Sequence, residues 1–136
     1  ISACLVGSEM CIRDSDRTIA LASSLGLRLN ILPKVSHEKL NEYYWNADVV
    51  IDRFKLGSLG MVSLEAIACG RPVVTFVSSE FPEYKDFPLK NVDVEEKVIN
   101  SLKEAGTELW KKEYTYLMME HEVNAVVERL LKVYNF

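Results

Sequence analysis

The sequence predicts an α/β domain with a parallel sheet and flanking helices, and three observations carry that prediction. From Asp16 onward, stretches with helical spacing of apolar residues alternate with short runs rich in Leu, Ile and Val. The junctions are punctuated, with Gly26 and Gly70 after helical stretches and Pro33 after a strand-like one. The composition is that of an ordinary folded chain, with 49% hydrophobic and 26% charged residues among 136 and a mean hydropathy of +0.01.

The elements follow in order. Asp16 is placed to cap a short helix through residue 25, after which Gly26 occupies the left-handed position that ends helices. Residues 27–32 read as a buried strand. Ser36 caps a helix on which Leu40, Tyr43, Tyr44 and Ala47 recur at helical spacing, and Glu38 suits its first turn. Residues 48–51 form a second strand, 54–60 a glycine-broken loop, 61–69 a helix stopped by Gly70, and 72–77 a third strand. This strand, loop, helix, strand order calls for a right-handed crossover. The polar segment 78–89, with Pro82 and Pro88, reads as a long surface loop. Asp93 and Glu96 form a capping box before a helix to about residue 105, stopped by Gly106. A helical stretch from Thr107 carries Trp110 and Tyr114. A last helix, 120–134, gathers Val123, Val126, Val127, Leu130 and Leu131 on one face expected to pack on the body of the domain.

Composition excludes several classes. No apolar run approaches the roughly 18 residues that cross a bilayer. The balance of 20 Asp+Glu against 16 Lys+Arg, net −4, gives no footprint for nucleic acid. Cys4, Cys11 and Cys69 lack metal-ligand spacing, so neither a metal site nor a disulfide scaffold is expected, and a reducing cytoplasm fits best. Residues 5–15, LVGSEMCIRDS, resemble an in-frame translation of a sequencing-library adapter, and the chain opens on Ile1. Residues 1–15 are therefore expected to be non-native and 16–136 to be a partial domain that has lost its early strand. The alternative is that ACLVGSE is a native first strand. Without residues 1–15, 15 basic residues face 18 acidic ones, and Cys69 alone remains of the three cysteines.

Chemistry concentrates in residues 47–77. Gly57, Ser58, Leu59 and Gly60 make a turn at the carboxyl end of a parallel strand, just before a helix N-terminus. Such a turn presents backbone N–H groups at the positive end of the helix dipole, which suits a phosphate or diphosphate. Glu65, about one turn into that helix, is placed to reach ribose hydroxyls, as acidic residues do in other nucleotide-binding α/β folds. The plain alternative is a turn that only reverses the chain. Asp52, Arg53 and Lys55 precede the turn as candidate sugar or phosphate contacts, and Arg71 follows it, although loop charges are commonly just solvated. Met61 reads equally as a backbone contact or as core. His37, His121, Glu80 and Glu83 read as surface residues, Cys69 as a small core residue, and Tyr43, Tyr44 and Trp45 as helix packing with one exposed ring. No catalytic residue is assigned.

At these residues the chain resembles the C-terminal, nucleotide-sugar-binding domain of glycosyltransferases with the two-Rossmann GT-B architecture, in the retaining family 4, or group 1. The resemblance runs from the strand-like LNILP through VSHEKLNEYYWNADVVI, the turn GSLGM and the string LEAIACGRPVV to a closing helix ending LLKVYNF, nearly everything after Asp16. It implies a Rossmann-like parallel sheet truncated at its N-terminus. It also implies that the backbones of Ser58, Leu59, Gly60 and Met61 line the diphosphate. In that family two glutamates separated by seven residues flank the turn, one near the transferred sugar and one on the ribose. Glu65 matches the second, and Gly57 stands where the first would be, so Gly57→Glu is expected to tighten sugar recognition if the usual cleft geometry is kept. The implied function is the donor-binding portion of an enzyme that moves a sugar from a nucleoside diphosphate sugar to an acceptor, with retention. The donor is a substrate, and no cofactor is implied. An acceptor-binding N-terminal domain and a basic pair are expected elsewhere in the full-length enzyme, which is a candidate for peripheral membrane association, so this chain alone is expected to show no turnover. The alternatives are a nucleotide-sugar epimerase of the same fold and a non-catalytic Rossmann-like module. A phospho-receiver would need an acidic cluster where this chain offers Asp52 alone.

Overall fold

The computed structural model describes residues 3–6, 19–26, 28–32, 35–54, 56–89 and 95–134. The expected roles of Asp16, Leu27, Pro33, Lys55 and the Asp93 capping box lie outside them. The chain divides into two compact units, residues 1–43 and 44–136.

In the first unit, β1 (Ala3–Val6) pairs in parallel with β2 (Leu29–Leu32), with Ala3 opposite Leu29 and Val6 opposite Leu32. A parallel pair needs a crossover, and residues 19–24 between the strands are helical. That helix ends as its sequence requires: Gly26 takes φ +67°, and its N–H bonds back to the carbonyl of Ser23. β1 lies within residues 1–15, and its last two residues, Leu5 and Val6, open the adapter-like string. After β2 the chain enters α1 (His37–Trp45), whose first turn is closed by the Lys39 N–H on the Ser36 carbonyl and whose last two residues, Tyr44 and Trp45, belong to the second unit.

The second unit holds the strand, turn, helix, strand order read from sequence. β3 (Val50–Ile51) and β4 (Val73–Val74) are parallel, in register Val50 to Val73 and Ile51 to Val74, with α2 (Met61–Ala68) between them. The ladder is shorter than the apolar runs suggested. Beyond it the strands still track one another through Asp52 N–H to Val74 O and Phe76 N–H to Arg53 O. The core gathers here: Ala66, Ile67, Val73, Val74 and Val77 are fully buried. Gly70, at φ +83°, turns the chain from α2 into β4.

The helices that follow are α3 (Glu95–Glu104), α4 (Thr107–His121) and α5 (Val123–Tyr134). α4 closes the core over α2 and β4. The Trp110 indole N–H donates to the Ile67 carbonyl at 2.9 Å, taking up an acceptor near the end of α2. Glu113, fully buried, accepts the Val73 N–H at 3.0 Å.

Three expectations are corrected. The segment 78–89 is more than a surface loop: it contains a 3-10 turn at Pro82–Tyr84, and Phe87 is 1% exposed, its ring edge-on to Tyr116 at 5.3 Å. Burying one aromatic ring outweighs the solvation of the polar residues around it, which remain outside. The last helix starts at Val123 rather than 120, because Glu122 is extended (φ −66°, ψ 144°) and its carboxylate accepts the N–H of Asn124 at 2.8 Å, an N-cap. Finally, the apolar face of α5 is only partly packed away: Val126 is half-buried, while Val123, Val127, Leu130 and Leu131 are 45–70% exposed. α5 is joined to α4 by Arg129, which pairs with the carboxylate and carbonyl of Glu120.

Candidate functional site

The turn after β3 is the best-defined constellation in the second unit. Gly57 has φ +68°, a region that favours glycine, and a Cβ there would lie 2.9 Å from the Ser78 Cβ and 3.3 Å from the Phe76 ring. The Ser78 N–H donates to the Gly57 carbonyl at 3.0 Å, so the loop after β4 clamps the turn from one side. The backbone conformation and the Ser78 loop thus both favour glycine at position 57. The sequence-based expectation that Gly57→Glu tightens sugar recognition meets a steric obstacle, since any side chain must displace the Ser78 loop.

Gly60 is closed off from the other side. It is the N-cap of α2, and a Cβ on it would lie 2.6 Å from both the Asp52 carboxylate and the Arg53 guanidinium. Asp52 is held there by the Ser63 hydroxyl, which donates to Oδ2 at 2.6 Å. Its charge therefore lies beside the positive end of α2, a favourable placement for a carboxylate. The Asp52 side chain is only 12% exposed, whereas that of Arg53 is 47% exposed, with Nε 4.0 Å from Asp52. The Arg53 backbone is fixed through its carbonyl, which accepts from the Thr75 hydroxyl and the Phe76 N–H. The turn consequently has an anchored acid, a reachable cation and, in Met61, an exposed side chain at the start of the helix. Met61 is not core. Ser58 and Leu59 are half-buried, and Gly57 and Gly60 are buried.

Glu65 lies just over one turn further along α2 and is half-buried. The Tyr44 hydroxyl donates to its Oε2 at 3.1 Å. Burial, and then the Glu65 carboxylate, push the Tyr44 phenol above its ordinary pKa, so it remains a proton donor. Burial also raises the Cys69 thiol, helped by the charge of Glu65 and opposed by that of Arg71. The sequence assigns Tyr44 to packing. It is buried as expected, with Trp45 the exposed ring, but its hydroxyl reaches the site. Arg71 is directed elsewhere: its Nη2 donates to the Trp45 carbonyl at 2.5 Å, capping the end of α1. Glu80 and Glu83 are exposed, as are His37 and His121. Among the described residues, no group of three or more His, Cys, Asp or Glu could hold a metal ion, and no helix is long and apolar enough to cross a membrane.

Comparison with known proteins meets this geometry at the same segment. The pattern of the family described as "Glycosyl transferases group 1" matches residues 2–86, more than half of the chain, and the chain belongs to that family. Its α/β construction is that of the family's Rossmann-like domain. A D-inositol 3-phosphate glycosyltransferase of Mycobacterium sp. (strain KMS) is 41% identical over 69 residues, 49% of this chain and 16% of that protein. Proteins of the same name from Geodermatophilus obscurus and Rhodococcus opacus are 48% identical over 56 residues and 41% identical over 61, covering 40% and 43% of this chain. These matches span 12% and 14% of those proteins, so the chain corresponds to a small part of each relative. No solved structure matches the chain.

Proposed function

We propose that residues 50–77 form the donor-binding half of a sugar-transfer site, which takes the diphosphate and ribose of a nucleoside diphosphate sugar. The observation that carries this reading is the placement of Glu65 on the helix that follows the Gly57–Gly60 turn, at the carboxyl end of β3. Family membership supports it. The N–H groups of the first turn of α2 and the half-exposed Arg53 guanidinium meet the diphosphate, and Glu65 accepts from the ribose hydroxyls. Asp52, already bonded to Ser63, forms the wall between turn and helix rather than a primary phosphate contact. Sugar transfer then depends on stabilising the departing diphosphate and on placing the acceptor. The acceptor side, retention of configuration and the position of this domain as the C-terminal half of a two-domain enzyme belong to the same proposal, as does cytoplasmic location. So does the absence of turnover from this chain alone. Residues 1–15 are proposed as adapter-derived, which the coding DNA tests directly.

The test is a titration of the chain with nucleoside diphosphates, followed residue by residue by NMR. Shifts concentrated at residues 57–65 are expected. Absence of specific binding at millimolar nucleotide contradicts the reading and leaves a non-catalytic module.

A further inference from the structure

We infer that Tyr44 is a positioning residue for Glu65 and thereby makes this site selective for ribonucleotides over 2′-deoxyribonucleotides. The inference rests on the reading of Glu65 as the ribose acceptor.

A glutamate side chain turns about three torsions, and ordering it costs conformational entropy. A carboxylate that must accept from two neighbouring hydroxyls gains most when its plane is set before the ligand arrives. Tyr44 sets it. Tyr44 is 9% exposed, and its hydroxyl donates to Glu65 Oε2 from the last turn of α1. The helix end that carries Tyr44 is itself fixed, because Arg71 caps the Trp45 carbonyl. Burial and the adjacent carboxylate keep the phenol protonated, with Cys69 and Asp52 close enough to add to the effect. Residues 44, 65 and 71 thus form a short chain of support from the turn before β4, through the end of α1, to the acid on α2.

The experiment compares this chain with Tyr44→Phe, Glu65→Ala and the double variant. Calorimetry measures the affinity for matched ribonucleoside and 2′-deoxyribonucleoside diphosphates. Loss of a hydrogen bond that orients a charged acceptor is expected to weaken ribonucleotide binding by about tenfold. Deoxyribonucleotide binding should change less than about twofold, so Tyr44→Phe collapses the ratio of the two affinities. In the Glu65→Ala background the same change should have no further effect on the ratio. A purely packing role for Tyr44 predicts that Phe, which keeps the ring, leaves the ratio intact, and that result overturns the inference. If Glu65→Ala itself leaves the ratio intact, or the parent chain binds neither nucleotide, the reading of Glu65 fails and this one with it.

Discussion

Two helices of the second unit make an instructive pair, because both are rich in apolar residues and bury them to different degrees. α2 has Ala66 and Ile67 fully buried between β4 and α4, and the turn before it is closed by side chains on both flanks. α5 keeps Leu130 and Val123 at 51% and 70% exposure. An apolar stripe states which face gains from burial. It does not say whether the same chain supplies a cover. The crowding around α2 is what turns a generic strand-to-helix turn into a shaped site.

The largest expected effect tests that contrast directly. Ile67→Ala should destabilise the chain by about 2–5 kcal/mol in urea denaturation, since it leaves a cavity in a closed core. Leu130→Ala should cost less than about 1 kcal/mol, because much of that side chain already faces water. Equal losses at the two positions would show that α5 is as covered in solution as α2.

A second pair separates backbone strain from crowding. Gly57 and Gly70 both have positive φ, but a Cβ meets nothing within 4 Å at Gly70 and lies 2.9 Å from Ser78 at Gly57. Gly70→Ala should cost about 1–2 kcal/mol from the left-handed conformation alone. Gly57→Ala should add roughly 1–2 kcal/mol for the displaced loop. Gly57→Glu should then weaken nucleotide binding through the distorted turn. Matched losses in the two alanine variants would mean that the Ser78 loop yields freely.

A further expected effect concerns pH. Burial pushes the Glu113 carboxyl up to about 8 from an ordinary 4.5, against the opposing effect of the Val73 N–H bond. Below pH 4.5 both folded and unfolded chains hold the proton. Between there and about 8 the unfolded chain releases a proton that the folded one keeps, so stability falls as pH rises, by at most about 1.4 kcal/mol per pH unit. Glu113→Gln keeps an acceptor for Val73 and should flatten the decline. A profile unchanged by that substitution would place the titration elsewhere.

How much of this was legible in the sequence differs by level. The order of elements from residue 36 to 77 was readable because Gly57, Gly60 and Gly70 punctuate it and because α2 has helical periodicity. Glu65 was placed correctly on its helix for the same reason. The reason position 57 must be glycine was not readable, since it depends on Ser78 and Phe76 returning from a later part of the chain. The Tyr44 to Glu65 and Ser63 to Asp52 bonds were also hidden: spacing shows which helix face a residue shares, not where its hydroxyl finds an acceptor. Glu113 left a usable trace. It lies three residues from both Trp110 and Tyr116 on α4, the face that closes the core, so a charged residue there signals a buried acid.

The central claim is that Glu65 holds the ribose of a nucleotide whose diphosphate sits on the Gly57–Gly60 turn. Nucleoside diphosphate affinity of the parent chain and of Glu65→Ala, measured together with their urea midpoints, tests it most directly. A loss of about ten- to a hundredfold in affinity is expected, the cost of removing a charge-assisted hydrogen-bond pair, with the midpoint lowered by no more than the stranded Tyr44 hydroxyl costs, about 1–3 kcal/mol. An unchanged affinity, with the midpoint lowered, would contradict it and leave Glu65 only a structural partner of Tyr44.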